Sequence, residues 1–150
     1  MMLLNCKKYI QKGDDLLASD DAIQLLALLI LVFLSAFFSS AETSLTTVNT
    51  IKLQALAEEG SRRAATALKI KENPSKLLSA ILIGNNLVNN MAASLATAFA
   101  IKFFGNGSVG IVTTILTVVV LIFGEITPKT LAAANSEKMA LAYASIIMVL

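Results

Sequence analysis

The sequence predicts an all-α membrane protein with three spanning helices and a short helical hairpin between the first and the second. Two observations carry that prediction. Of the 150 residues, 56% are hydrophobic and only 15% charged, against about 45–50% and about 25% in ordinary globular domains, and the mean hydropathy is +0.75. The apolar residues also collect in three charge-free stretches, 22–41, 77–101 and 103–124. Each reaches the length of about 20 residues needed to cross roughly 30 Å of hydrocarbon. This balance excludes a disordered chain and leaves too few charges to cover the surface of a soluble domain. A net charge of +2 gives no nucleic-acid footprint. With no histidine and Cys6 as the single cysteine, zinc sites, a disulfide framework and histidine-based catalysis drop out, and no enzymatic activity is expected.

The elements follow in order. Residues 1–21 form an N-terminal tail in which Asp14, Asp15, Asp20 and Asp21 precede the first span, expected over 22–46. A cleavable signal peptide would carry basic residues there and an A-x-A site afterwards, so a first transmembrane helix is the better reading. Residues 49–72 read as two short helices broken at Gly60-Ser61, capped by Asn49 or Thr50 and by Ser61. Asn73-Pro74-Ser75 ends the second of these and starts the next span, over 77–101. The third span is expected over 107–126. A last apolar stretch, 139–150, fits either an interfacial helix or half of a further span.

Orientation follows the basic residues. Lys52, Arg62, Arg63, Lys69, Lys71 and Lys76 crowd the hairpin, whereas the short connection after the second span carries only Lys102. The hairpin and the C-terminal segment, with Lys129 and Lys138, are therefore expected in the cytoplasm and the N-terminus outside. The whole is a multi-pass protein of the cell membrane.

Polar side chains at membrane depth are costly and point to function. Ser35, Ser39 and Glu42 fall within about 60° of arc on the first span, with Ser40 beside them. Asn85, Asn86, Asn89 and Asn90 cover about 140° of the second span, too wide an arc to face lipid. On the third, Pro128 lacks an N–H, so the Gly124 carbonyl loses its helical partner beside Glu125. Proline also biases Thr127 away from helical geometry, so a discontinuous helix is expected there. Hydroxyls of Ser35, Ser39 or Ser40, amides of Asn86 and Asn90, the Gly124 carbonyl and the Glu125 carboxylate form a set of hard oxygen ligands. Such a set suits Mg²⁺, Ca²⁺ or Na⁺ rather than zinc or copper. The competing reading makes the serines packing residues, the asparagines interhelical glue, and Glu42 and Glu125 partners of Lys129 or Lys52.

These segments resemble the transmembrane domain of the CNNM/CorC family of magnesium transporters, often called hemolysin-like proteins. The likeness runs from about Leu34 to Ala142, through S-A-E-T at 40–43, G-N-N…N from Gly84 and G-E-I-x-P-K at 124–129. The resemblance implies a homodimer whose subunits each carry three transmembrane helices, two short cytoplasmic helices and a juxtamembrane helix from about residue 136. It implies Mg²⁺ export with Na⁺ as the coupled ion, through an inward-facing, negatively charged cavity. The implied ligands are Ser35, Ser39 or Ser40, Asn86, Asn90, Gly124 and Glu125. Glu42, Asn85, Asn89, Pro128 and Lys129 would shape or gate the site. Members continue into CBS domains that bind ATP, and none of these lies within the 150 residues, which is expected of a piece of a longer protein. The alternative is a non-transporting membrane scaffold or Mg²⁺ sensor that acts through such domains.

Overall fold

A computed structural model of the chain describes residues 2–105, 107 and 109–149, with side chains described from residue 21 onward. Among these there are helices and turns and no strand. The first helix, α1 (Met2–Thr47), runs unbroken through tail and span. At 1.5 Å per residue its 46 residues extend about 70 Å, so the tail prolongs the span as helix. Of the four aspartates noted above, only Asp21 has a described side chain. It pairs with Lys102, tying α1 to the far end of the second span.

Two short helices follow, α2 (Thr50–Glu58) and α3 (Arg62–Lys71). Asn49 caps α2, its Oδ1 accepting from Ile51 N at 2.8 Å, and Ser61 Oγ accepts from Ala64 N to cap α3. Gly60 turns the chain between them at φ 95°, a left-handed conformation that glycine adopts without penalty. Lys71 Nζ donates to Val48 O at 2.6 Å, holding the hairpin against the end of α1.

The second span is α4 (Pro74–Phe104), with proline at its first helical position, where no N–H is needed. The third rod, Val109–Ala134, is continuous over 26 residues. It comprises α5 (Val109–Val119), a π-helical segment (Val120–Ile126) and α6 (Thr127–Ala134). The expected break at Pro128 is absent. Thr127 is helical, at φ −62° and ψ −48°, and its N–H bonds to Ile122 O, five residues back. The wider π turn makes room for the proline ring without unwinding the chain. The last apolar stretch is a separate helix, α7 (Ser136–Ile147), packed against α1 and α3.

Among the described residues, three helices are thus long and apolar enough to span a membrane. They pack by different means along their length. Where α1 ends, Leu45, Leu53, Ile70, Leu77, Ala140 and Ile147 join one buried cluster uniting hairpin, α4 and α7. Further along α4 the buried residues are mainly small, Ala92, Ala96 and Ala100 at intervals of four. In hydrocarbon there is no hydrophobic drive between helices, so small residues that admit close approach provide the packing.

Candidate functional site

Alanine spacing on α4 also fixes its inward face. Counting back from Ala100, Ala96 and Ala92 in helical steps passes Val88, Asn85 and Ile81. Val88 and Ile81 are buried with the alanines, and Asn85 and Asn89 lie partly buried between them. Asn86 and Asn90 point outward and are exposed. The pair on the inward face of α4 within this chain is thus Asn85 and Asn89, one residue before the expected Asn86 and Asn90. The small-residue stripe was the signal in the sequence that identifies the inward pair.

On α1 the same sorting separates the serines. Ser35 and Ser39 are buried at 1% and 0% exposure. Ser35 Oγ lies 3.4 Å from Asn85 Oδ1 and 3.5 Å from Gly124 O. One hydroxyl proton can serve only one of these acceptors, and both distances are longer than the usual 2.7–2.8 Å for such a bond. Ser39 Oγ, one turn along, has no hydrogen-bond partner among the described residues. Ser40, also buried, turns away to α7, donating to Ala36 O at 2.7 Å with Tyr143 Oη at 3.1 Å. It does not join the cluster.

On the third rod Gly124 is buried and packs tightly on α1. A Cβ built there would lie 3.0 Å from Ser35 Oγ and 3.3 Å from Ser35 Cβ. The glycine lets α1 approach the π segment closely enough for a hydroxyl to reach the carbonyl that Pro128 deprives of its helical partner. Next to it, Glu125 accepts a hydrogen bond from Asn89 Nδ2 at 3.0 Å. The other amide atom, Asn89 Oδ1, is buried without a partner among the described residues.

The structure therefore brings Ser35, Asn85, Asn89, Gly124 and Glu125 together, with Ser39 on the same α1 face. Glu42 and Lys129 form an ion pair at 3.4 Å, two helical turns beyond Ser35 and one beyond Glu125 toward the hairpin. Ser35, Asn85, Gly124 and Glu125 lie about 14–18 Å from the hairpin-side ends of α1, α4 and α6, and Asn89 about 23 Å from the start of α4, by residue count at 1.5 Å each. The first of these depths is about half the thickness of a bilayer core. Among the described residues no three Asp, Glu, His or Cys side chains come together. A cation in this place would be held by one carboxylate and otherwise by neutral oxygens. A cavity of about 210 Å³ opens beside the cluster, with Asn89 and Glu125 at its polar end and Ala92, Ala96, Leu116 and Val120 among its walls. Thr113 and Thr117 also line it, but each hydroxyl already donates to a backbone carbonyl one turn back, Val109 O and Thr113 O.

The sequence matches the family described as CNNM, cyclin M transmembrane N-terminal domain, over residues 25–150. It is 46% identical to a UPF0053 protein of Haemophilus influenzae over 112 residues, 75% of this chain and 27% of that protein. It is 44% identical to the UPF0053 inner membrane protein YfjD of Escherichia coli over 107 residues, 71% of this chain and 25% of the relative. A second Haemophilus influenzae relative, named polyamine export protein, is 29% identical over 136 residues, 82% of this chain and 32% of its own length. The chain spans about a quarter of the length of the first two. Three helices fit to cross a membrane and a match over most of their length agree: the chain belongs to the CNNM transmembrane-domain family.

Proposed function

We propose that this chain is the membrane domain of a cation exporter and that its transported ion is Mg²⁺, held dehydrated in the Ser35–Asn85–Asn89–Gly124–Glu125 cluster with Ser39. One observation carries the reading: among the described residues Asn89 Oδ1, on the amide that donates to Glu125, and Ser39 Oγ, one turn from the Ser35 hydroxyl that reaches Gly124 O, are buried with no protein partner. Buried oxygens are normally satisfied, and a cation would satisfy these. Adjacent ligands of octahedral Mg²⁺, at 2.0–2.1 Å from the metal, stand about 2.9 Å apart. The Ser35 contacts at 3.4 and 3.5 Å would contract by about half an ångström around it. With a single carboxylate, the site binds without trapping. We assign the hairpin and C-terminus to the cytoplasm and the N-terminus to the outside, from the basic residues of the hairpin. Na⁺ coupling and a homodimeric assembly belong to the same reading, as does the absence of enzymatic chemistry.

The test is Glu125→Gln. In detergent, Mg²⁺ is expected to raise the melting temperature of the wild-type chain and to leave the variant unmoved. In proteoliposomes the variant loses Mg²⁺ flux. Flux equal to wild type refutes the assignment.

A second reading has support of its own. The mostly apolar cavity ends on Glu125 and Asn89, which suits an alkylammonium chain with its charged head on the carboxylate, and two relatives are named polyamine export protein. Spermidine that stabilises the chain when Mg²⁺ does not would favour it. A chain that responds to neither would be the scaffold or sensor.

A further inference from the structure

A second cavity, of about 180 Å³, lies at the other end of α4, where α3, α4 and α7 meet. Its polar side consists of Lys69, Asn73 and Lys76, and its apolar side is built from Leu77, Ala80 and Ile147. Neither lysine takes part in an ion pair among the described residues, although Lys52, Lys102 and Lys129 all do. The neighbouring carboxylate, Glu72, lies outside the cavity lining and is likewise unpaired. Two uncompensated positive charges thus share one recess.

The order of the lining residues along α4 matters. Asn73 and Lys76 stand at the start of the span and Leu77 and Ala80 follow, so the cavity changes from cationic to apolar over about 10 Å of helix. The α4 N-terminus adds to the positive end, since the Asn73 side chain makes no capping bond there. A charge-bearing mouth at the membrane surface above an apolar floor that runs toward the hydrocarbon matches a molecule with an anionic head and an acyl tail. A free anion would meet only the lysines.

We propose that this recess binds an anionic phospholipid, the phosphate lying between Lys69 and Lys76 and the upper acyl chain against Leu77, Ala80 and Ile147. Basic pockets between helices at a membrane surface bind such headgroups. The lipid would join α3 and α7 to the start of α4, bracing the hairpin against the span.

The experiment uses the full chain in an uncharged detergent. Short-chain phosphatidylglycerol is expected to raise the melting temperature in a saturable way, whereas phosphatidylcholine of the same chain length does not. The double substitution Lys69→Gln/Lys76→Gln weakens the apparent affinity by roughly tenfold or more. The charge-matched Arg62→Gln/Arg63→Gln variant, altered on exposed residues outside the recess, retains it. Inorganic phosphate and glycerol phosphate, which lack acyl chains, leave the melting temperature unchanged. A response that survives Lys69→Gln/Lys76→Gln, is lost equally in Arg62→Gln/Arg63→Gln, or is reproduced by inorganic phosphate overturns the proposal. The last outcome would indicate a free-anion site.

Discussion

A buried hydroxyl with no partner is destabilising by about 1–3 kcal/mol relative to one that is satisfied, and Ser39 carries such a hydroxyl at 0% exposure. Ser40, the next residue, is almost as buried but donates to Ala36 O beside Tyr143. The two serines should therefore respond in opposite ways to loss of the hydroxyl. Ser39→Ala is expected to raise the melting temperature without Mg²⁺ by about 2–4 °C, the shift that roughly 1 kcal/mol gives in a chain of this size, and to diminish the increase that Mg²⁺ produces. Ser40→Ala should lower the baseline slightly and leave the Mg²⁺ response intact. Thermal unfolding of both with and without Mg²⁺ decides the matter, and a Ser39→Ala chain that is less stable yet fully responsive would remove Ser39 from the site. The residue types were legible in the sequence, since hydroxyls, amides and one carboxylate at membrane depth need an explanation wherever they point. Which of two adjacent serines or asparagines points inward was not. A rotation of about 100° per residue separates them, and only the neighbouring helices choose.

At the scale of elements, the site depends on how closely α1 can lie on the π segment. Gly124 allows that approach, with Ser35 Oγ 3.0 Å from where its Cβ would stand. The atoms in the way include Ser35 Cβ, fixed to the backbone, so relief requires α1 itself to move. Gly84, on α4, has a closer clash in prospect, 2.7 Å to Phe38 Cζ, but that atom is the far end of a side chain that can turn. Gly124→Ala is expected to destabilise the chain by about 1–3 kcal/mol and to abolish Mg²⁺ stabilisation. Gly84→Ala should cost less and keep the ion response. Equal behaviour of the two in thermal unfolding would contradict the close-approach argument. Pro128 illustrates what local rules can reach at this scale. That the proline frees the Gly124 carbonyl follows from its missing N–H. Whether the helix then breaks or widens depends on its packing, and here α1 and α7 flank a rod that stays helical through Thr127. The caps of α2 and α3 were readable because Asn49 and Ser61 act within one turn of chain.

For the whole molecule, the outward amides of α4 pose the remaining question. Asn86 and Asn90 are exposed at the same depth as the inward pair, where lipid offers their polar atoms no partners. Beside them a groove of about 700 Å³ runs between α1 and α4, with Ile30, Leu31, Met91 and Leu95 among its walls and Asn90 and Ser94 within it. Polar groups that bond across helices, next to small residues that admit a close neighbour, are the usual means of association inside a membrane. The proposed homodimer would place this face against a second copy, whereas the ion cluster is complete within one chain. The two properties should then separate. Asn86→Leu/Asn90→Leu is expected to shift the detergent-solubilised protein from dimer to monomer in light scattering while the Mg²⁺-dependent rise in melting temperature persists. If the double variant remains dimeric, the second copy sits on another face. If it loses the Mg²⁺ response while remaining folded, the outward amides contribute to ion binding and the single-chain site is incomplete.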